Sequence, residues 1–261
     1  MNRRDLTATA LAAAALFNSP AARALAGSEQ SGDPAKPVRI AMLLFPGMTA
    51  LDLVGPQALL AGLSGDSLHL VAKTAGTVVS DTGLGLVATT AFDTCPRDLD
   101  VLFVPGGDGT PDQMRDEATL AFLRDRASRA AWVTSVCTGS LILGAAGLLT
   151  GYRATSHWCV RDAILPLLGA IPVDERVVSD RNRVTAAGVS AGLDFALALS
   201  ARLRGVDYAR TSQLVAEYAP QPPFSAGTPG GAGPVVSERA AAILKGLVDG
   251  SRAAASDIAG R

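Results

Sequence analysis

The chain has 261 residues, 48% of them hydrophobic, and its formal net charge is −1 at pH 7. That length fits one large globular domain or two small ones. The near-zero net charge and the aromatic content of 5% argue against a nucleic-acid partner, since phosphate contacts need a basic surface and base stacking needs aromatic side chains.

The first 26 residues have the features of an export signal. Arg3-Arg4 precedes a modest apolar run over residues 11–17, and Ala24-Leu25-Ala26 supplies the small residues that a signal peptidase recognises before Gly27. The arginine pair resembles a twin-arginine signal, which exports folded proteins; a disordered basic terminus is the alternative. We therefore predict a periplasmic or extracellular protein. Because no later run reaches about 20 uninterrupted apolar residues, we expect no stable membrane association.

Short apolar runs alternate with helical patterns along the rest of the chain. The first run, Val38 to Phe45, is nearly continuous, as expected for a strand buried on both faces. Further strands are predicted at 67–73, 101–104, 152–156, 176–179 and 183–186, and another before Cys137 at the apolar run over residues 131–134. Helices are predicted at 53–65, 118–130, 138–146, 192–203 and 209–218. This alternation predicts one α/β domain over residues 37–226, with a mostly parallel sheet covered by helices on both faces.

The end of the chain has a different composition. The segment "SAGTPGGAGP", residues 225–234, predicts a flexible linker. Residues 235–248 predict a single terminal helix, which packs on the domain or on a partner subunit. Residues 227–261 are therefore expected to form a linker and a C-terminal helix.

Cys137 lies in "SVCTGS", directly after one predicted strand and directly before a helix. In an open parallel sheet, ligands bind at the carboxyl ends of the strands, and a tight strand-to-helix turn there is the position of a nucleophile elbow. The unpaired N–H groups of the helix, which begins near Thr138, are expected to lower the pKa of the thiol. A buried, inert cysteine is the alternative.

Two glycines follow the neighbouring predicted strand, in Pro105-Gly106-Gly107. Without a Cβ, their backbone N–H groups can face a cavity, and they are expected to hold a developing negative charge as an oxyanion hole does. An ordinary turn is the alternative.

Asp52, in "TALDLVGP", lies near the start of the first predicted helix. A carboxyl among apolar residues either caps the helix or takes part in chemistry. Beside a thiolate its pKa would rise, because two negative groups compete, and it would then be a proton donor near neutral pH.

The remaining candidates for chemistry are few. The three cysteines, Cys95, Cys137 and Cys159, are widely spaced, and the histidines are His69 and His157. Two of the cysteines could pair in an oxidising compartment, but their spacing does not require it. Without a CxxC motif, this set of residues argues against a metal site.

Five sequence blocks, in order, resemble the ThiJ/PfpI superfamily and, within it, the isonitrile hydratases. The blocks are "LLFPGMTALDLVGP", "VTSVCTGSLILGAAGLL", "RATSHW", "GAIPVDERVV" and "EYAPQPPFSAG", and "FVPGG" precedes the cysteine block. The resemblance covers about residues 38–226 and implies the flavodoxin-like, three-layer sandwich of class I glutamine amidotransferase domains. Parts of these motifs are shared with sensor domains of AraC-type regulators.

By position, the resemblance places the nucleophile at Cys137 and the essential acid at Asp52, where many superfamily members have Glu. Thr138 matches the hydratases, whereas protease-like members have His there, so a Cys-His peptidase is disfavoured. The backbone of Thr138 is expected to join that of the two glycines, Gly106 and Gly107, at the oxyanion. His157 is expected to approach the site in a structural rather than a catalytic role.

The resemblance implies hydration of an isonitrile to an N-substituted formamide through a cysteine thioimidate, with Asp52 as acid and base. It implies that the reaction needs no cofactor. It also implies two partners, a small-molecule substrate and a second copy of the chain in a homodimer. The alternatives are a glyoxalase, deglycase or amidohydrolase activity, or a non-enzymatic ligand or redox sensor that uses Cys137. A DNA-binding regulator is disfavoured, because the 35 residues after residue 226 are too few for a paired helix-turn-helix module.

Overall fold

A computed structural model describes residues 36–260 of the chain. The predicted export signal, residues 1–26, lies outside the described residues and stays a prediction. Within the described part, no helix is both long and apolar enough to cross a membrane.

A seven-stranded sheet forms the centre of the fold. The strands are β1 (Ile40–Leu43), β2 (Leu68–Ala72), β3 (Gly76–Val79), β4 (Gly85–Ala88), β5 (Thr90–Ala91), β6 (Val101–Val104), β7 (Trp132–Val136), β8 (Arg153–Ala154), β9 (Ile171–Pro172), β10 (Val177–Asp180) and β11 (Arg183–Ala186). The central sheet has the order β10-β11-β7-β6-β1-β2-β5. Its pairs are parallel except for β10 with β11, which confirms the predicted mostly parallel sheet.

Helices cover both faces of this sheet. They are α1 (Ala50–Ser64), α2 (Thr110–Gln113), α3 (Glu117–Ala127), α4 (Gly139–Ala145), α5 (Trp158–Arg161), α6 (Ala191–Arg204), α7 (Val206–Val215), α8 (Pro229–Ala232), α9 (Pro234–Ile243) and α10 (Lys245–Ala259). Helix α6 packs on α1 and α7, whereas α4 packs on α2, α3 and α10. The predicted α/β sandwich is therefore confirmed.

The strand order determines where a ligand can bind. The chain moves from β1 to β2 on one side and later returns to β6 on the other side of β1. The crevice at the carboxyl ends of β1 and β6 is thus a topological switch point, the usual binding position in open α/β sheets. Both strands are buried along their whole length, which explains their continuous apolar sequence.

Several local predictions differ from the structure. The predicted strand over residues 152–156 is shortened to β8, which pairs with β9 outside the central sheet. Residues 76–88 form an antiparallel hairpin, β3–β4, which is absent from the predicted strands. Each of these strands has a single buried residue, so its sequence has little apolar periodicity from which to predict a strand.

The C-terminal segment also differs from its prediction. The prediction of one helix over residues 235–248 was wrong: α9 and α10 divide near Leu244, and the one-turn α8 lies within the predicted linker. Helix α10 packs on α2 and α4, and it buries Ser251, Ala254 and Ala255. Small side chains on one helical face allow this close approach.

Candidate active site

Cys137 occupies a sharp turn between β7 and α4. Its φ of 57° lies in the left-handed region, which residues other than glycine seldom adopt. The surrounding backbone holds this conformation: the Cys137 N–H donates to the carbonyl of Ala186 (3.0 Å), and the Cys137 carbonyl accepts from the hydroxyl of Ser156 (3.0 Å). Such a conformation persists where several contacts fix it, as at functional turns. The predicted elbow geometry is present.

The turn is packed against the loop that follows β6. A Cβ on Gly139 would lie 2.3 Å from the carbonyl oxygen of Val104, and one on Gly106 would lie 2.5 Å from the backbone nitrogen of Thr138. Real Cβ atoms do not approach this closely, so both positions require glycine. These two glycines bring the loop and the elbow into direct contact.

Asp52 is the third residue of α1, and its side chain is fully buried. Its Oδ2 accepts a hydrogen bond from the N–H of Gly106 (3.0 Å), so it does not cap its own helix, whose N-cap residue is Thr49. Its Oδ1 is buried without an oxygen or nitrogen partner among the described residues. The carboxyl of Asp52 and the neighbouring thiol of Cys137 interact, and each changes the pKa of the other.

The two glycines after β6 do not form the predicted oxyanion hole. The N–H of Gly106 donates to Asp52, and the N–H of Gly107 donates to the hydroxyl oxygen of Thr138 (3.0 Å). Both donors are therefore already used by side chains. In this structure the glycines position Asp52 and Thr138 instead of facing an open cavity.

Thr138 is fully buried directly after the elbow. Besides accepting from Gly107, its hydroxyl shares a hydrogen bond of 2.7 Å with the hydroxyl of Thr110 at the start of α2. The N–H of Thr138 acts on the thiol of Cys137 and lowers its pKa, against larger opposing effects. Thr138 thus connects α2, the loop after β6 and the elbow.

The pKa values of the two acidic groups of the site, Asp52 and Cys137, are both raised. Burial raises the pKa of Asp52 to about 7; the Gly106 N–H and the Cys137 thiol lower it, and the charge of Asp81 raises it. Burial, followed by the charge of Asp52, raises the pKa of the Cys137 thiol well above its usual range. The predicted rise for Asp52 is confirmed in direction, with burial as its main cause. The predicted lowering for Cys137 was wrong, because burial outweighs the N–H groups of a short helix.

This arrangement can move a proton between sulfur and oxygen. A buried thiol beside a carboxyl with a pKa near neutrality passes its proton to that carboxyl when a ligand consumes the thiolate. The two groups titrate as a coupled pair, because each charge disfavours the other.

His157 serves a different local role. It is the N-cap residue of α5; its Nδ1 accepts from the N–H of Cys159 and lies 3.0 Å from the Cys159 sulfur. Its ring also packs on Gly188, where a Cβ would lie 2.0 Å from the imidazole Cδ2. Burial lowers the pKa of His157. These contacts hold the chain next to Ser156, whose hydroxyl supports the elbow.

Besides Ser156, three residues around this site were not predicted from the sequence. Thr49 and Thr110 contribute hydroxyl groups, and Asp81 contributes a charge from the β3–β4 hairpin. The Asp-Thr-Gly triplet at residues 81–83 is a turn signal that could have indicated the hairpin. No local signal indicates what the turn touches.

A cavity of about 790 Å³ lies beside the carboxyl end of β11. It begins at Gly188, next to His157, and its apolar wall includes Leu193, Pro222 and Phe224. Over residues 36–260, no group of three or more His, Cys, Asp or Glu side chains could hold a metal ion.

The family model of DJ-1/PfpI matches residues 38–202. The chain belongs to this family. It is 55% identical over 192 residues to isonitrile hydratase of Pseudomonas putida, covering 74% of this chain and 83% of that protein. The crystal structure of a ThiJ/PfpI family protein from Pseudomonas syringae is 49% identical, with a TM-score of 0.82 over 91% of this chain and 96% of that one.

A relative of another kind is the HTH-type transcriptional regulator GbdR of Pseudomonas aeruginosa. It is 32% identical over 176 residues, which are 65% of this chain and 47% of the regulator. The family and the similarity to isonitrile hydratases that the five sequence blocks predicted are confirmed.

Proposed function

We propose that this protein hydrates an isonitrile to the corresponding N-substituted formamide, with Cys137 as nucleophile and Asp52 as acid and base. The observation that carries the proposal is the buried pair itself: an elbow thiol lies beside a carboxyl whose pKa is about 7. The identity of 55% to an isonitrile hydratase supports the substrate class.

The first step forms a bond between the Cys137 sulfur and the terminal carbon of the isonitrile, R–NC. The thiol proton passes to the carboxylate of Asp52 as the sulfur attacks, and Asp52 then gives this proton to the carbon. The result is a thioimidate, R–N=CH–S–Cys137. Covalent catalysis of this kind divides one difficult hydration into two easier steps.

The second step consumes water. Asp52, again a carboxylate, takes a proton from water as the hydroxyl adds to the thioimidate carbon, and it gives that proton to the nitrogen. The carbon–sulfur bond then breaks, the hydroxyl proton returns to sulfur, and the formamide R–NH–CHO leaves. The sum is one isonitrile and one water, with Cys137 and Asp52 in their starting states.

The group R needs an apolar site close to the elbow. We propose that the cavity beginning at Gly188 accepts it, since Leu193, Pro222 and Phe224 provide an apolar wall. The carbonyl of Ala186, two residues before Gly188, accepts a hydrogen bond from the N–H of Cys137. Gly188, which lines the cavity, therefore follows the end of β11 at which the backbone of Cys137 is bound.

We also propose that the protein acts outside the cytoplasm as a homodimer. The proposal of export rests on Arg3-Arg4 and on Ala24-Leu25-Ala26 in the sequence. The proposal of a homodimer rests on the family resemblance and on exposed apolar side chains of α7 and α9.

The direct test is to incubate the purified protein with cyclohexyl isocyanide and to measure N-cyclohexylformamide by chromatography. We expect formamide from the wild-type protein, and we expect Cys137→Ala and Cys137→Ser to fold normally and lose the activity. Cys159→Ser is the matched control, because it removes a neighbouring thiol and should retain turnover. Activity of Cys137→Ala above a tenth of wild type would exclude this nucleophile. Consumption of methylglyoxal without formamide from the isonitrile would replace the proposal with a deglycase-type activity.

A further inference from the structure

The turn of the β3–β4 hairpin is joined to the loop that follows β1. The N–H of Gly47 donates to the carbonyl of Val79 (2.9 Å), and the N–H of Asp81 donates to the carbonyl of Met48 (3.0 Å). The hydroxyl of Thr49 donates to Oδ2 of Asp81. Three successive residues of the loop are therefore held by one hairpin turn.

Thr49 uses its hydroxyl in an unusual way. It is the N-cap residue of α1, where a threonine hydroxyl commonly accepts from an N–H of the first helical turn. Here the side chain makes no capping hydrogen bond and donates to Asp81 instead. The helix that carries Asp52 is therefore positioned by the hairpin carboxylate rather than by its own cap.

The same loop fixes the hydrogen-bond partner of Asp52. The N–H of Thr49 donates to the carbonyl of Gly106 (2.8 Å), and the N–H of Gly106 donates to Oδ2 of Asp52 (3.0 Å). A continuous path of hydrogen bonds thus runs from Asp81 through Thr49 and Gly106 to the carboxyl of Asp52.

Asp81 also acts as a charge. Its Oδ1 is buried and has no hydrogen-bond partner among the described residues, and an unpaired buried carboxylate oxygen calls for an explanation. The other groups that act on Asp52 are the N–H of Gly106 and the thiol of Cys137, and Asp81 adds the negative charge that opposes ionisation of Asp52.

We propose that Asp81 is a positioning residue of the Asp52–Cys137 pair: through Thr49 it fixes the start of α1, and its negative charge favours the protonated carboxyl of Asp52. The hairpin thereby adds to the effect of burial and raises the pH above which Asp52 can accept the thiol proton. The expected effect of Asp81 on turnover rests on the proposed hydratase function, whereas its expected effect on the pKa of Asp52 does not.

The kinetic test is the pH dependence of kcat/KM for cyclohexyl isocyanide. The wild-type rate should fall as pH decreases through about 7, because a protonated Asp52 cannot accept the thiol proton. In Asp81→Asn this acid limb should move to lower pH, since Asp52 loses a like charge. Asp81→Glu keeps the charge and should keep the midpoint, even if kcat falls. Asp108→Asn, at an exposed position beside the same loop, should also keep it.

The second test needs no turnover. In a Cys137→Ala background, the carboxyl carbon of Asp52 can be titrated by ¹³C NMR and assigned by its absence in Asp52→Asn. The Asp52 midpoint should lie at lower pH when Asp81→Asn is added and should be unchanged when Asp108→Asn is added. Equal midpoints with and without the Asp81 charge would overturn the proposal, whether or not the protein hydrates isonitriles.

The proposed role of Thr49 in positioning Asp52 is tested separately, by the kcat of two Thr49 variants. Thr49→Ser keeps the hydroxyl and should retain kcat, whereas Thr49→Val removes the link to Asp81 and should lower kcat with little change in KM. The loss can reach on the order of 10²-fold, the effect of a small misplacement of a reacting group. If both variants fold normally and have equal kcat values, the hydroxyl of Thr49 does not help to position Asp52.

Discussion

At the scale of single residues, the buried carboxyl of Asp52 links chemistry to stability. Its pKa in the folded protein is about 7, compared with an ordinary value of 3.8. Between these two pH values the folded chain binds more protons than the unfolded chain. The free energy of unfolding therefore decreases as pH rises through this window, and the loss is complete above about pH 7.

Asp52→Asn should remove this pH dependence and the activity together. At pH 4 the variant and the wild type should have similar free energies of unfolding. At pH 8 the variant should be more stable, by up to about 4 kcal/mol for a shift of this size. Isonitrile hydration should fall by at least about 10²-fold, because an amide cannot transfer the proton.

Urea unfolding of both proteins at pH 4 and pH 8 measures the difference. Asp108→Asn is the control, since Asp108 is exposed and its removal should leave the pH dependence unchanged. A stability difference between Asp52→Asn and wild type that is the same at both pH values would contradict the buried-acid interpretation.

At the scale of elements, α10 closes the face of the sheet that carries α2 and α4. The buried positions Ala254 and Ala255 lie on its inner side, while Ala253 and Ser256 are exposed. Because α2 provides the hydroxyl of Thr110 to the site, the packing of α10 also supports the loop after β6.

Ala254→Leu should destabilise the protein by about 1–3 kcal/mol, because added methylene groups at a filled contact force the helices apart. Ala253→Leu makes the same chemical change one residue earlier on the exposed side and should have little effect. Urea denaturation of the two variants gives the comparison. Equal destabilisation by both substitutions would mean that α10 does not pack on α2 and α4 in solution.

At the scale of the whole molecule, α7 and α9 extend apolar side chains away from the core. Leu214, Val215 and Ile243 are 80%, 83% and 83% exposed, respectively, and Phe224 between these helices is 78% exposed. Large apolar side chains that are exposed to this extent are common at association surfaces. They support the proposed homodimer.

Light scattering should give about twice the chain mass for the wild-type protein. Leu214→Asp combined with Ile243→Asp should shift the mass towards the monomer, since burying unpaired carboxylates in an interface is unfavourable. Arg252→Asp places an acidic group on an exposed position of α10 and should leave the dimer intact. A monomeric wild-type protein at micromolar concentration would refute the homodimer.

The sequence by itself determined the elements that have a strong local pattern. The strand over residues 101–104 has its predicted bounds, because a continuous apolar run in a buried parallel sheet has few alternatives. The strand over residues 183–186 also has its predicted bounds, although its sequence, RVTA, is only partly apolar. The alternation of strands and helices then predicted the α/β class. The five sequence blocks predicted the family and placed Cys137, Asp52 and Thr138 at strand ends that do meet.

The tertiary structure decided the properties that depend on long-range contacts. Asp81 is distant in sequence from Cys137, and only the docking of its hairpin on Thr49 brings its charge to the site. The N–H groups of Gly106 and Gly107 were predicted to face a cavity, but the side chains of Asp52 and Thr138 accept hydrogen bonds from them. The pKa of Cys137 is raised rather than lowered, because burial is a property of the assembled fold and outweighs the local effect of the following helix.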